Sequence, residues 1–204
     1  MTNPRIITLE GNIGAGKTTL LNALQEKYKD RTDVLFLLEP VDSWKEIQQN
    51  GKNILELFYA KKATYGFAFQ VLAFQSRLQL IREACKRPDI RLIIMERSLD
   101  ADYYVFAKML YEEGFLEDCE YEIYKRMAKY EREQYLSDGI VWLRESPKTC
   151  MERVGLRARK GEERISIEYL EKCDQYHQEW LGADLGFVLT WDGNYDKLDR
   201  FLFG

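Results

Sequence analysis

Between residues 11 and 18 the chain reads Gly11-Asn12-Ile13-Gly14-Ala15-Gly16-Lys17-Thr18, which fits the spacing G-x-x-x-x-G-K-[ST]. Glycines so placed let successive backbone N–H groups turn inward around phosphate oxygens. A helix opening at the end of the loop then points its positive terminus at the same anion. Lys17 would reach the β and γ phosphates, and the Thr18 hydroxyl, followed by Thr19, would ligate Mg²⁺. The chemistry implied is binding of ATP with Mg²⁺ and transfer of a phosphoryl group. A glycine-rich turn that matches by chance is the alternative, and an apolar strand before the loop and a helical pattern after it argue against that. The loop names no acceptor, because ATPases, GTPases and small-molecule kinases all carry it.

Two further clusters carry chemistry. In Leu38-Glu39-Pro40-Val41-Asp42-Ser43-Trp44, Glu39 can accept a hydroxyl proton during phosphoryl transfer; otherwise it caps a helix or lies on the surface before a proline turn. In Met95-Glu96-Arg97-Ser98, Glu96 can hold Mg²⁺ or its water shell, and Arg97 can steady Glu39 and the phosphates. A surface ion pair is the bland reading of those two.

Something must hold these residues together, and the apolar pattern says what. Near-continuous apolar runs at Arg5–Glu10, Val34–Leu38, Arg91–Met95, Gly139–Leu143 and Phe187–Trp191 predict strands covered on both faces. Helical periodicity lies between them, at Thr18–Lys29, Thr64–Ala84, Leu99–Glu113, Asp118–Leu136 and Ile165–Leu181. The alternation predicts an α/β fold with a five-stranded parallel sheet flanked by helices. Ligands of such sheets sit at the carboxyl ends of the strands, where Glu10-Gly11, Glu39-Pro40 and Glu96-Arg97 fall. At 204 residues a single domain, 1–204, is expected.

Bulk properties exclude several classes. A net charge of −4 gives no general basis for nucleic-acid binding, so anions must be met by local Lys and Arg clusters. The four cysteines (Cys85, Cys119, Cys150 and Cys173) form no C-x-x-C pair and suit free thiols in a reducing compartment. The first residues, MTNPRIITLEG, lack a charged leader followed by an apolar run, and no stretch approaches membrane-spanning length. A cytoplasmic protein without membrane contact is expected. His177, the one histidine, lies beside Gln178 and Glu179 and is expected at the surface. Tyr121, Tyr124, Tyr130 and Tyr135 have helical spacing and suit packing or a subunit interface. Phe67, Phe69, Phe74 and Phe106, taken alone, read as core. The basic run Arg153, Arg157, Arg159 and Lys160, interleaved with Glu162, Glu163 and Arg164, reads alone as a solvated helix end.

Taken together and in order, GNIGAGKT, EPVDSW, FAFQVLAFQSRL, ERSLDAD and TCMERVGLRARKGEERISIEYL resemble the deoxynucleoside kinase family, which includes deoxycytidine and deoxyguanosine kinases. The resemblance runs from the first strand to about Trp180. It implies a P-loop kinase fold with an arginine-rich lid at about 153–164, and ATP-dependent 5′-phosphorylation of a deoxynucleoside in nucleotide salvage. Residue by residue, it implies Glu39 as general base, Arg97 as its partner, Glu96 as the magnesium-associated glutamate, and Arg153, Arg157 and Arg159 over the ATP phosphates. Glu162, with Tyr59, would meet the sugar 3′-hydroxyl. Gln70 would pair with the base between Phe69 and Phe106, with Trp44 as wall. Ala73, Arg77 and Asp102 would set base preference. An ionised Asp102 only accepts hydrogen bonds, which favours an exocyclic amine and disfavours the O4 of thymine; the expected order is deoxycytidine or deoxyadenosine, then deoxyguanosine, with thymidine weakest. A homodimer and feedback inhibition by a deoxynucleoside triphosphate are further implications. The rivals are a nucleoside monophosphate kinase of the thymidylate kinase type, which needs a second phosphate-binding arginine on the acceptor side, and a nucleotide-binding switch without an acceptor reaction.

Overall fold

The computed structural model describes residues 3–182 and 186–204. In chain order the elements are β1 (Arg5–Glu10), α1 (Lys17–Lys27), β2 (Val34–Leu37), α2 (Val41–Glu46), β3 (Gln48–Gln49), β4 (Lys52–Asn53), α3 (Ile54–Ala60), α4 (Lys62–Cys85) and β5 (Leu92–Glu96). Next come α5 (Leu99–Ala101), a π-helical stretch Asp102–Ala107, α6 (Lys108–Glu112), α7 (Asp118–Gln134), β6 (Gly139–Trp142), α8 (Pro147–Arg157), a 3-10 turn Glu162–Arg164, α9 (Ile167–Leu181), β7 (Val188–Thr190) and α10 (Tyr195–Phe203).

Five strands form one sheet in the order β2-β5-β1-β6-β7, every pair parallel; β3 and β4 form a small antiparallel hairpin. The five strands of the sheet match the apolar runs to within one residue at each end. The period-two alternation of β1 divides the core. Ile7 and Leu9 pack on one face with Leu21, Leu24 and Val141; Ile6 packs on the other with Phe74, Leu78 and Ile81 of α4. Burying each such side chain contributes about 1.5–3 kcal/mol, so the sheet is a stiff platform. Its central strand delivers Glu10 and the loop that follows.

The predicted helix from Leu99 to Glu113 is one helical run broken by the π turn. Such turns shift the register of a helix and recur at functional sites; this one carries both Asp102 and Phe106. Four helices went unpredicted: α2, α3, α8 and α10. Helices of six and seven residues, like α2 and α3, show too little periodicity to be read.

His177 corrects an expectation: it is buried, 1% exposed. Leu170, Cys173, His177 and Leu181 form the inner stripe of α9, while Gln178 and Glu179 face out. The His177 Nδ1–H donates to the Cys173 carbonyl at 2.6 Å, and burial pushes its pKa down to about 3. The tyrosines of α7 divide: Tyr124 is fully buried, edge-on to Phe74 at 5.9 Å, whereas Tyr130 is 70% exposed. The cysteines are free thiols, and none of the helices is long and apolar enough to cross a membrane among the described residues.

Candidate active site

The phosphate loop is fixed by what surrounds it. A Cβ on Gly11 (φ +139°) would lie 2.4 Å from the Leu143 carbonyl oxygen, and one on Gly14 (φ +84°) would lie 2.5 Å from that of Cys150. Both positions therefore need glycine twice over, for backbone conformation and for room. No side chain caps α1 at Gly16, which leaves the first N–H groups of the helix to the loop concavity. Asn12 ties the loop down, donating from Nδ2 to the Leu170 carbonyl at 2.8 Å and accepting from its neighbour Ile13 N–H at 2.8 Å. Lys17 is 4% exposed and donates to the carbonyls of Gly11 (3.0 Å) and Asn12 (2.8 Å). Burial, then the nearby Arg97 cation, lower its pKa to about 8. The Thr18 hydroxyl donates to Glu96 at 2.9 Å.

From this loop a cleft runs between the sheet ends and α3–α4, and every acceptor-side residue named from the sequence lines it: Glu39, Trp44, Tyr59, Phe69, Gln70, Ala73, Arg77, Glu96, Arg97, Asp102, Phe106 and Glu162. Glu39 is neither a cap nor a surface residue. Its Oε1 accepts from Arg77 Nη2 at 2.6 Å and lies 3.3 Å from Arg97 Nε. Burial alone would raise the Glu39 pKa, but Arg97, Arg77 and Lys17 outweigh it and hold the carboxyl below its usual range. Arg77 grips Asp102 with its other terminal nitrogen. Asp102 sits deeper, and burial wins there: despite Arg77, its pKa is pushed up to about 6. One guanidinium thus spans two carboxylates of opposite tendency.

Glu96 and Arg97 are 6% and 4% exposed, so the surface-pair reading fails. Arg97 adopts φ +69°, a left-handed conformation that costs a non-glycine residue roughly 1–3 kcal/mol. The turn is held from both sides, by Arg97 N–H on the Leu9 carbonyl (3.1 Å) and Ser98 N–H on buried Glu10 (2.7 Å). The guanidinium is thereby aimed at Glu39 and the Gly11 carbonyl (3.3 Å) and lies 4.6 Å over the Phe106 ring.

At the far end of the cleft, Gln70 is 2% exposed and its Oε1 has no hydrogen-bond partner. Phe69 stacks on Phe58 at 4.6 Å and meets Trp44 edge-on at 5.4 Å, and Trp44 is steadied by Nε1–H on Ser76 (2.8 Å). The four phenylalanines therefore divide: Phe74 is core, Phe67 packs half-buried against two core clusters, and Phe69 and Phe106 belong both to core clusters and to the cleft wall. Sequence reasoning missed Val41, Leu55, Phe58 and Tyr169, which also line the cleft. A capping box, Asn53 with Glu56, starts α3 and was the available signal for two of them.

The basic segment splits. Arg157 donates from Nε (3.1 Å) and Nη2 (2.5 Å) to Glu162, which Arg159 also meets at 3.1 Å; all three line the cleft. Arg153 lies on the other side of the loop, bonded to the Ala15 carbonyl and Glu145, both at 3.2 Å. There it flanks a second groove with Gly16, Thr19, Arg144, Trp191 and Tyr195. Lys160 turns away toward Glu56, 3.4 Å distant. Hard oxygen donors suited to Mg²⁺ stand together at Thr18 and Glu96, and such sites need only one or two protein ligands beside the phosphates.

A family model described as deoxynucleoside kinase matches residues 7–201. Similar proteins include deoxycytidine kinase 2 of Gallus gallus, 36% identical over 87% of this chain and 74% of that protein. Deoxycytidine kinase of Homo sapiens is 33% identical over 98% and 88%. Mitochondrial deoxyguanosine kinase of Xenopus laevis is 30% identical over 86% and 72%.

Proposed function

The chain belongs to the deoxynucleoside kinase family, and from that membership we propose a kinase that moves the ATP γ-phosphoryl group to the 5′-hydroxyl of a deoxynucleoside bound in the cleft. One observation carries the reading. One carboxylate, Glu39, held by both Arg77 and Arg97, lies in a cleft with Lys17 at one end and the unpartnered Gln70 Oε1 at the other.

A carboxylate held below its usual pKa is too weak a base to ionise an alcohol in advance. Glu39 instead takes the 5′-hydroxyl proton as the new O–P bond forms and ADP leaves. A loose transition state asks chiefly for alignment and charge stabilisation. Lys17, Arg97, Arg157 and Arg159 supply the positive charge. Thr18 and Glu96 would hold Mg²⁺, which would supply positive charge to offset that on the phosphates. In-line transfer requires the leaving ADP to point away from the acceptor, and the groove by Arg153, Trp191 and Tyr195 on the opposite side of the loop suits its base.

On the acceptor, Glu162 and Tyr59 face the sugar 3′-hydroxyl. Gln70 grips the base edge bidentately between Phe69 and Phe106. Asp102, paired with Arg77 beside Ala73, accepts from an exocyclic amine. Deoxycytidine or deoxyadenosine is favoured, deoxyguanosine follows, and thymidine is weakest. Ile123 and Tyr130, exposed on α7 (56% and 70%), suit a homodimer interface. A deoxynucleoside triphosphate spanning cleft and loop would act as feedback inhibitor. Free thiols fit a cytoplasmic setting, and residues 1–204 form one kinase domain on this reading.

The monophosphate-kinase reading is disfavoured because Arg77 and Arg97, the arginines nearest the acceptor, are engaged by Asp102 and Glu39. The test is transfer from γ-labelled ATP to the four deoxynucleosides and to dCMP. Product from nucleosides, with thymidine the poorest by kcat/KM, is expected. Product from dCMP alone, or thymidine preferred over all others, would overturn the reading.

A further inference from the structure

Lys160 and Gly161 interrupt the arginine segment at the point where it touches the acceptor side. Gly161 is buried with φ +101°, and a Cβ there would fall 2.9 Å from the Glu56 backbone nitrogen and 3.1 Å from the Leu55 Cβ. Conformation and space both require glycine, so the segment lies against the first turn of α3 with no slack. Beside it, Lys160 Nζ lies 3.4 Å from Glu56 Oε2, the oxygen that accepts from Asn53 N–H at 2.9 Å.

What lies on either side of this contact gives it meaning. Helix α3 carries Leu55, Phe58 and Tyr59 in the cleft wall, and Phe58 stacks on Phe69. On the other side of Gly161 follows Glu162, 6% exposed and clasped by Arg157 and Arg159. The base wall is therefore built on the same short helix against which Gly161, between the phosphate arginines and Glu162, is pressed. Glu162 is also contested: Arg157 bonds Oε2 twice and Arg159 bonds Oε1, so of the carboxylate's roughly four acceptor positions the arginines hold most, and a sugar hydroxyl competes with them.

We propose that Gly161 and Lys160 are positioning residues that register the arginine segment on α3, so that ATP and deoxynucleoside bind with positive coupling. The inference rests on the functional reading above. Donor phosphate draws Arg157 and Arg159 from Glu162, which releases that carboxylate to the acceptor sugar. Nucleoside seated against Phe58 and Tyr59 in turn fixes α3, and through Gly161 the arginines. Coupling of this kind is reciprocal, each ligand tightening the other by the same factor.

The experiment measures the Kd of deoxycytidine by calorimetry with and without a saturating β,γ-imido ATP analogue. It uses the wild-type chain, Gly161→Ala, Lys160→Glu and Lys160→Arg, with transfer activity assayed on the same preparations. The wild type should show tightening of at least about fivefold. Gly161→Ala should bring the ratio near one and raise KM for ATP more than it lowers kcat. Lys160→Glu should reduce the ratio by about two- to fivefold, the scale of an exposed ion pair, and Lys160→Arg should restore it. Lys160 is 68% exposed, so that pair of variants decides the matter if Gly161→Ala does not fold. A wild-type ratio of one, or a ratio unchanged in the variants while the wild type transfers phosphate, would overturn the coupling alone. Absence of transfer in the wild type would overturn the functional reading, and this inference with it.

Discussion

The phosphate loop and the acceptor cleft meet at Lys17 but are made of different material. The loop is backbone: two glycines pressed against the Leu143 and Cys150 carbonyls, an uncapped helix start, and one lysine. The cleft is side chain: Arg77 strung between Glu39 and Asp102, Arg97 in a strained turn, and an amide oxygen with no partner. Backbone N–H groups recognise any phosphate and carry little selectivity. Buried charged side chains discriminate, because a wrong ligand leaves them unpaired. A kinase that needs a common donor and a chosen acceptor can divide the labour this way.

The division is most exposed to a change at Glu39. Glu39→Gln removes the proton acceptor while keeping the shape, and kcat should fall by about 10²–10⁴, the scale of general base catalysis. ATP affinity measured in parallel should stay within about twofold. If ATP affinity fell as far as kcat, the two regions would not be separable.

A smaller effect belongs to Asp102. Asp102→Asn replaces an acceptor with an amide that can donate to O4 of thymine. The kcat/KM ratio of deoxycytidine to thymidine should drop by roughly 5- to 150-fold, corresponding to about 1–3 kcal/mol for mispaired buried groups. Since the Asp102 pKa is raised to about 6, its charge is lost as pH falls through that value. The wild-type kcat/KM for deoxycytidine should therefore show an acid limb near pH 6 that the variant lacks. The stability sign is opposite. A carboxyl whose folded pKa is raised binds protons more readily folded than unfolded, so its contribution is greatest below about pH 4 and is lost as pH rises through 6. A ratio unmoved by the substitution would assign selectivity elsewhere.

The same division decided what could be read from the sequence. The loop is contiguous and its demands are written in eight neighbouring residues, so motif and context were legible together. The sheet was legible too, because parallel strands covered on both faces are plain apolar runs. The cleft draws on residues from Lys17 to Tyr169, and no local pattern joins them. Glu39 could be read as a candidate base from its place at a strand end, with a capping role as the alternative, but Gln70 and Asp102 gained meaning only through the order of five motifs. Phe58 and Leu55 were missed because α3 is seven residues long and gives little periodic signal. Trp191 and Tyr195 were missed because the stretch after Gly182 showed no motif. His177 was misplaced by its neighbours, Gln178 and Glu179; counting by threes and fours from Leu170 through Cys173 would have put it inside.

The central claim is that the cleft aims a 5′-hydroxyl at Glu39. It is tested most directly by the position of the new phosphate, read by ³¹P NMR on the product of ATP and deoxycytidine. A single monoester coupled to the C5′ methylene protons is predicted. A 3′-monoester, or inorganic phosphate alone, would contradict it.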